Sequence, residues 1–132
     1  MRSTVIYCAL ILIFLNALPA LSGNRLNAEW EELFNGENLD GWEIRNGQHS
    51  YEVVDGMIVG TTIVGQPNGF LCTKNTYGNF ILELDFLVDE AMNSGIMIRA
   101  LSTEAYRNGR VHGYQVEIDP SSRAWSGRSE ER

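Results

Sequence analysis

The chain has 132 residues, 44% hydrophobic and 20% charged, with 17 acidic side chains against 10 basic ones and a formal charge of −7. That length suits one domain, and the apolar fraction excludes wholesale disorder. The acidic balance excludes nucleic acid and an anionic membrane surface as main partners, because phosphate binding needs a basic face.

The N-terminus reads as a secretory signal peptide over residues 1–22, followed by a single domain over residues 23–132. Arg2 supplies the positive end, and Val5 to Leu15 is an apolar run too short to span a bilayer with ease. Asn16 and Pro19 break the run, and Ala20-Leu21-Ser22 puts small residues where a peptidase cleaves. An uncleaved anchor is the alternative. A lipoprotein fits worse, since Cys8 follows Ile6-Tyr7 inside the run. The expected location is secreted or periplasmic, with no membrane contact after cleavage. Cleavage would leave Cys72 as the sole cysteine, so no internal disulfide forms. Within Gly69-Phe70-Leu71-Cys72-Thr73 that thiol reads as a small buried hydrophobe.

An arm over residues 24–34 leads into Asn35-Gly36 and Asp40-Gly41, turn dipeptides bracketing a short loop before Trp42. Tyr51-Glu52-Val53-Val54, Asp55-Gly56 and Met57-Ile58-Val59 predict a tight hairpin, the Asp-Gly pair supplying positive φ. Phe70 to Thr73 predicts a further short strand. The strongest pattern is Phe80 to Val88, where Phe80, Leu82, Leu84, Phe86 and Val88 alternate with Ile81, Glu83, Asp85 and Leu87. Asn93-Ser94-Gly95 then turns the chain into Ile96-Met97-Ile98-Arg99. Tyr114 to Asp119 alternates again, and Pro120 ends it. Short strands separated by turns, with no amphipathic helix, predict an all-β sandwich or barrel.

If the three best strands are neighbours in one sheet, Glu83, Asp85, Arg99, Gln115, Glu117 and Asp119 share a polar surface. Carboxylates at alternate strand positions stand about 6.5–7 Å apart, and paired carboxylates are what sugar chemistry uses. Arg99 is suited to orienting a carboxylate or a sugar oxygen. Tyr77, Tyr106, Tyr114 and Trp125 offer flat rings for sugar stacking. Charged residues on an outer sheet face are more often merely solvated, and from spacing alone that reading is favoured. His112, just before Gly113, is a base, a ligand or an ordinary loop histidine; His49 is assigned nothing. No HxH, HExxH or CxxC pattern supports a metal site, and no glycine-rich phosphate loop implies a nucleotide cofactor. A calcium site built from carboxylates stays open, though no EF-hand loop is present.

These same residues carry a resemblance. Leu33-Phe34-Asn35-Gly36-Glu37-Asn38-Leu39-Asp40-Gly41-Trp42 resembles the opening motif of the 3-keto-disaccharide hydrolase domain family, long known as domain of unknown function 1080. Tyr77-Gly78-Asn79-Phe80 through Asp85-Phe86, Asn93-Ser94-Gly95-Ile96 through Arg99, and Gly113 through Asp119 are similar to its later motifs, in the family's order. The resemblance runs from Leu33 to Ser126. It implies a concanavalin-like jelly-roll sandwich, exported and acting on carbohydrate, with a 3-keto-glycoside as substrate; from the motifs above, no cofactor is expected. It implies Glu117 as base or acid, Asp119 tuning it or sharing the proton work, and His112 as the alternative base. Arg99 and Gln115 would bind sugar oxygens or polarise the ketone, and Glu83 would hold Arg99; by residue type, Tyr114 and Trp125 are expected to contact the sugar.

After Gly127 the family continues with further strands, whereas this chain reads Arg128-Ser129-Glu130-Glu131-Arg132, with no strand pattern. An incomplete sandwich is the expectation, with an open edge and an uncovered apolar face. A non-catalytic carbohydrate-binding module is the competing function, because fold does not fix activity. An inactive fragment of the enzyme is another. A laminarinase-like Glu-x-Asp-x-x-Glu strand fits less well, since Ser122 stands at its last position. The sugar, the aglycone and the oligomeric state are not legible.

Overall fold

The computed structural model describes residues 5–8, 30–89 and 92–131. Every regular element among them is a strand: β1 (Val5–Cys8), β2 (Trp42–Arg45), β3 (Ser50–Val54), β4 (Met57–Thr61), β5 (Phe70–Thr73), β6 (Ser94–Leu101), β7 (His112–Ile118) and β8 (Ser129–Glu131). They form three small antiparallel sheets, ordered β1-β4-β3, β2-β5 and β6-β7-β8. The described residues are all-β, as the patterning predicts, and the small antiparallel sheets fit part of a sandwich. Of the signal-peptide span, Val5–Cys8 is described, as the edge strand pairing with β4; the rest of that span lies outside the described residues.

Local chemistry explains the early turns. Asn35 Oδ1 accepts the backbone N–H groups of Glu37 and Asn38, and Asn38 Oδ1 accepts that of Asp40. Gly36 and Gly41 take φ values of 77° and 85°, which side chains disfavour. The loop ends with Trp42 Nε1 donating to Leu33 O at 2.8 Å. The stretch from Leu33 to Trp42 therefore folds the chain into β2 through its own side-chain and backbone contacts. The β3–β4 hairpin forms as predicted, with Asp55 at φ 51° and Gly56 at φ 75°, the two positive angles that a tight twisted hairpin requires.

Two expectations are corrected. Phe80–Val88, the best-patterned segment, is not a regular strand; only Leu87 makes an isolated bridge. Its burial still alternates, with Phe80, Leu82, Leu84 and Val88 half-buried and Ile81, Glu83 and Asp85 exposed. Period-two patterning records which side chains are turned from water, and a ladder needs a partner's backbone as well. The second correction is at the C-terminus, where Ser129–Glu131 pairs with β7 despite its charged sequence. Backbone groups on the open side of β7 accept any extended chain, and charged residues suit an edge.

Among the described residues the buried apolar side chains are few: Phe34, Ile58, Val59, Met92, Val111 and Ile118. Cys72 sits half-buried on β5, where burial pushes its thiol pKa up, consistent with a packing role. Asn46 (φ 57°) ties the end of β2 to the loop before β7, accepting from Val111 N at 2.8 Å and donating to Gly109 O at 3.2 Å.

Candidate active site

The β6–β7 pairing decides which predicted residues meet. Gly95 lies opposite Glu117 and Met97 opposite Gln115, while Ile96 faces Val116 and Ile98 faces Tyr114. Strand alternation therefore puts Gln115, Glu117 and Asp119 on one face, and Tyr114, Val116, Ile96 and Ile98 on the other. The second face bounds a groove of about 430 Å³, closed on its far side by Phe80, Leu82, Glu83, Leu84 and Phe86. Glu83 and Tyr114 thus belong to the apolar side of the sheet, away from Glu117. The shared polar surface holds for Gln115, Glu117 and Asp119 and fails for Glu83.

That polar trio is not a solvated outer face. Glu117 is 1% exposed, Asp119 2% and Gln115 7%, and the two carboxylates are the largest fully buried side chains among the described residues. Buried carboxylates require hydrogen-bond partners. Glu117 Oε1 accepts from Gln115 Nε2 at 3.0 Å, and Oε2 accepts from Asn93 Nδ2 at 3.0 Å. Gln115 Nε2 also donates to Ser94 O at 3.4 Å. Gln115 therefore spends its amide hydrogens inside the protein, and only its carbonyl oxygen is left to offer a ligand.

Asp119 faces the loop after β7. Its Oδ1 accepts from Ser121 N at 3.0 Å, and Oδ2 is ion-paired with Arg123 Nη2 at 2.7 Å. Its own backbone N–H donates to Ser126 Oγ at 2.8 Å. The hydrogen bonds from Ser121 and the nearby Arg123 guanidinium hold its carboxyl below the usual value near 3.8, outweighing desolvation. A carboxylate kept ionised in this way is a poor proton donor at neutral pH. The loop is pinned again where Glu117 N–H donates to Arg128 O and Gly127 N–H donates to Glu117 O, both at 2.8 Å. Trp125 carries the Arg123 and Arg128 guanidinium carbons 4.6 and 4.7 Å from its ring centre. That cation–π cluster stands where a sugar-stacking ring was expected.

Arg99 is diverted by a β-bulge. The register slips between Ile98 and Leu101, and Arg99 takes φ 47°. Its Nη2 donates to Asn79 Oδ1 at 3.0 Å, so Asn79 takes the partner role expected of Glu83. Gly113 makes the bulge possible: a Cβ there would stand 2.8 Å from Ala100 Cα and 3.0 Å from Arg99 O. His112 lies five positions before Glu117 on β7, about 16 Å away along the strand. Its ring sits 4.0 Å from that of Tyr106, and Nδ1 is 3.0 Å from Arg110 O. Geometry thus separates His112 from the carboxylates.

Asn93 is the residue that sequence reasoning passed over. It read as part of a turn, yet its side chain supplies one of the two amide donors to Glu117. The clue was present, because Asn93-Ser94-Gly95 and Gln115-Val116-Glu117 fall in two separate motifs that had to meet somewhere. Among the described residues no three His, Cys, Asp or Glu side chains stand close enough to hold a metal ion.

A family model described as the 3-keto-alpha-glucoside-1,2-lyase-like domain covers residues 29–130. No curated protein matches the chain.

Proposed function

We propose that this chain, which belongs to the 3-keto-alpha-glucoside-1,2-lyase-like domain family, is a carbohydrate-active enzyme that cleaves 3-keto-glycosides. The family description names an elimination across C1 and C2. The chemistry follows from the ketone. A carbonyl at C3 acidifies the C2 hydrogen, so a base removes that proton and the C1–O bond breaks with a C1=C2 double bond forming. The departing oxygen takes a proton. Water then adds at C1 and a proton returns to C2, so the balance is glycoside plus water giving 3-keto sugar plus alcohol.

Glu117 is the base in this reading. The observation that carries it is a buried carboxylate whose two oxygens each receive an amide N–H at 3.0 Å. Such a group has a fixed direction, which a proton transfer requires. Asp119, tied to Ser121 and Arg123, holds the loop after β7 and leaves the proton transfer to Glu117. Arg99 and Trp125 remain candidates for sugar contact, being exposed. The leader-like segment over residues 1–22 supports export to the periplasm or the medium. Replacing Glu117 with Gln should abolish turnover of a 3-keto-glucoside while the protein stays folded; full activity in that variant would remove Glu117 from the mechanism.

A second reading is a carbohydrate-binding module without turnover, because a sandwich fold does not fix activity. Glycan binding with no release of aglycone from any 3-keto-glycoside would favour it.

A further inference from the structure

We infer that Asn93 and Gly95 are positioning residues for Glu117: Asn93 holds one carboxylate oxygen directly, and Gly95 leaves the space in which Gln115 lies to hold the other. The catalytic part of this rests on the reading of Glu117 as the base. The clamp itself rests on geometry alone.

Gly95 does not have a positive φ, so its backbone is one that any residue adopts. The need for glycine there is a need for space. A Cβ at position 95 would stand 2.5 Å from Gln115 Cγ and 2.6 Å from Cδ, with Nε2 also in contact. Real side chains do not approach so closely, so even a methyl group pushes Gln115 off its seat. Gln115 spans from Ser94 O to Glu117 Oε1, and Glu117 is the cross-strand partner of Gly95. Moving Gln115 therefore removes a donor from the carboxylate without touching Glu117. Asn93 closes the other oxygen from the residue just before β6. Asn93 and Gly95 in one motif, and Gln115 and Glu117 in another, are thus one clamp read from two strands. A side chain held within a few tenths of an ångström is what a proton transfer demands, and small misplacements are expensive in rate.

The test is a double-mutant cycle of Gly95→Ala and Gln115→Ala, with Asn93→Ala and Glu117→Gln beside it. Turnover of a 3-keto-glucoside and urea unfolding are measured for each variant. Gly95→Ala, Gln115→Ala and Asn93→Ala should each lower kcat about tenfold to a hundredfold, the range set by losing one hydrogen bond to a charged group. KM should stay within about twofold, because the clamp acts on Glu117 and not on the sugar. Gly95→Ala should have no further effect on kcat or on the urea midpoint once Gln115 is already Ala. Effects that multiply in the double variant would overturn the clamp, since Gly95 would then act independently of Gln115. An unchanged kcat in Asn93→Ala, whose exposed site tolerates truncation, would overturn its role. If Glu117→Gln retains full turnover, or the unaltered protein has none, the catalytic reading fails, and the unfolding cycle still decides whether Gly95 and Gln115 are coupled.

Discussion

Replacing Glu117 with Gln should cost the fold about 2 kcal/mol, an amount set by its two amide partners. A hydrogen bond to a charged group contributes about 1.5–3 kcal/mol and a neutral one about 0.5–1.5. Gln115 Nε2 is oriented by its second contact, to Ser94 O, so it demands an acceptor, which the new amide's carbonyl provides. The new NH₂ group then faces Asn93, an exposed side chain free to turn its own carbonyl inward. Two charge-assisted bonds become two neutral ones, and their difference is the cost. In urea, with a slope of about 1–3 kcal/mol per molar, the unfolding midpoint should fall by about 1 M with the slope unchanged. A loss above about 4 kcal/mol would show that partners other than the amides dominate the site. An unchanged midpoint would show that the amides do not hold Glu117. The predicted outcome is a folded variant, in which lost turnover reports on chemistry.

Three further outcomes are expected. Gly113→Ala sets a Cβ against the Ala100 backbone at φ 151°, and should cost about 2–4 kcal/mol through crowding and backbone strain, read by urea unfolding; a neutral result would deny that the bulge depends on this glycine. Asp119→Asn should flatten the acid side of the stability profile. The folded-state pKa of Asp119 lies below its ordinary value near 3.8, so its stabilisation is complete above that pH and is lost as pH falls through the lower folded-state value. Melting temperature should therefore drop more steeply for the unaltered protein than for the variant below about pH 4, and parallel profiles would contradict the assignment. Asn46→Ala removes two hydrogen bonds joining the end of β2 to the loop before β7 and places Ala at φ 57°. It should lower stability by about 2–3 kcal/mol in denaturant, and a loss below about 0.5 would show that the tether is dispensable.

Much of the fold was legible because short-range chemistry wrote it. Asp55-Gly56 between alternating strands has one good solution, and β3, β4 and β5 lie where their residues predict. What could not be read was pairing. Phe80–Val88 shows which side chains avoid water, but a ladder depends on another segment's backbone, and the same fact hid β8 behind charged residues. The site was legible in part. Gln115, Glu117 and Asp119 fall together because alternation on one strand is local. Glu83 and Arg99 were misplaced by nonlocal events: segment 80–86 lies over the opposite face, and the bulge at Arg99 turns its side chain toward Asn79. Burial of the carboxylates was the least readable feature, since Glu117 and Asp119 have the pattern of a wet edge and acquire their partners from Asn93, Ser121 and Arg123.

The central claim, cleavage of a 3-keto-glycoside by elimination with Glu117 as base, is tested most directly by turnover in D₂O followed by NMR. The account predicts release of the aglycone together with a deuteron at C2 of the 3-keto sugar, above the exchange shown by the free sugar alone. Both signals should vanish in Glu117→Gln. Aglycone release with the C2 hydrogen retained, or no release at all, would contradict it.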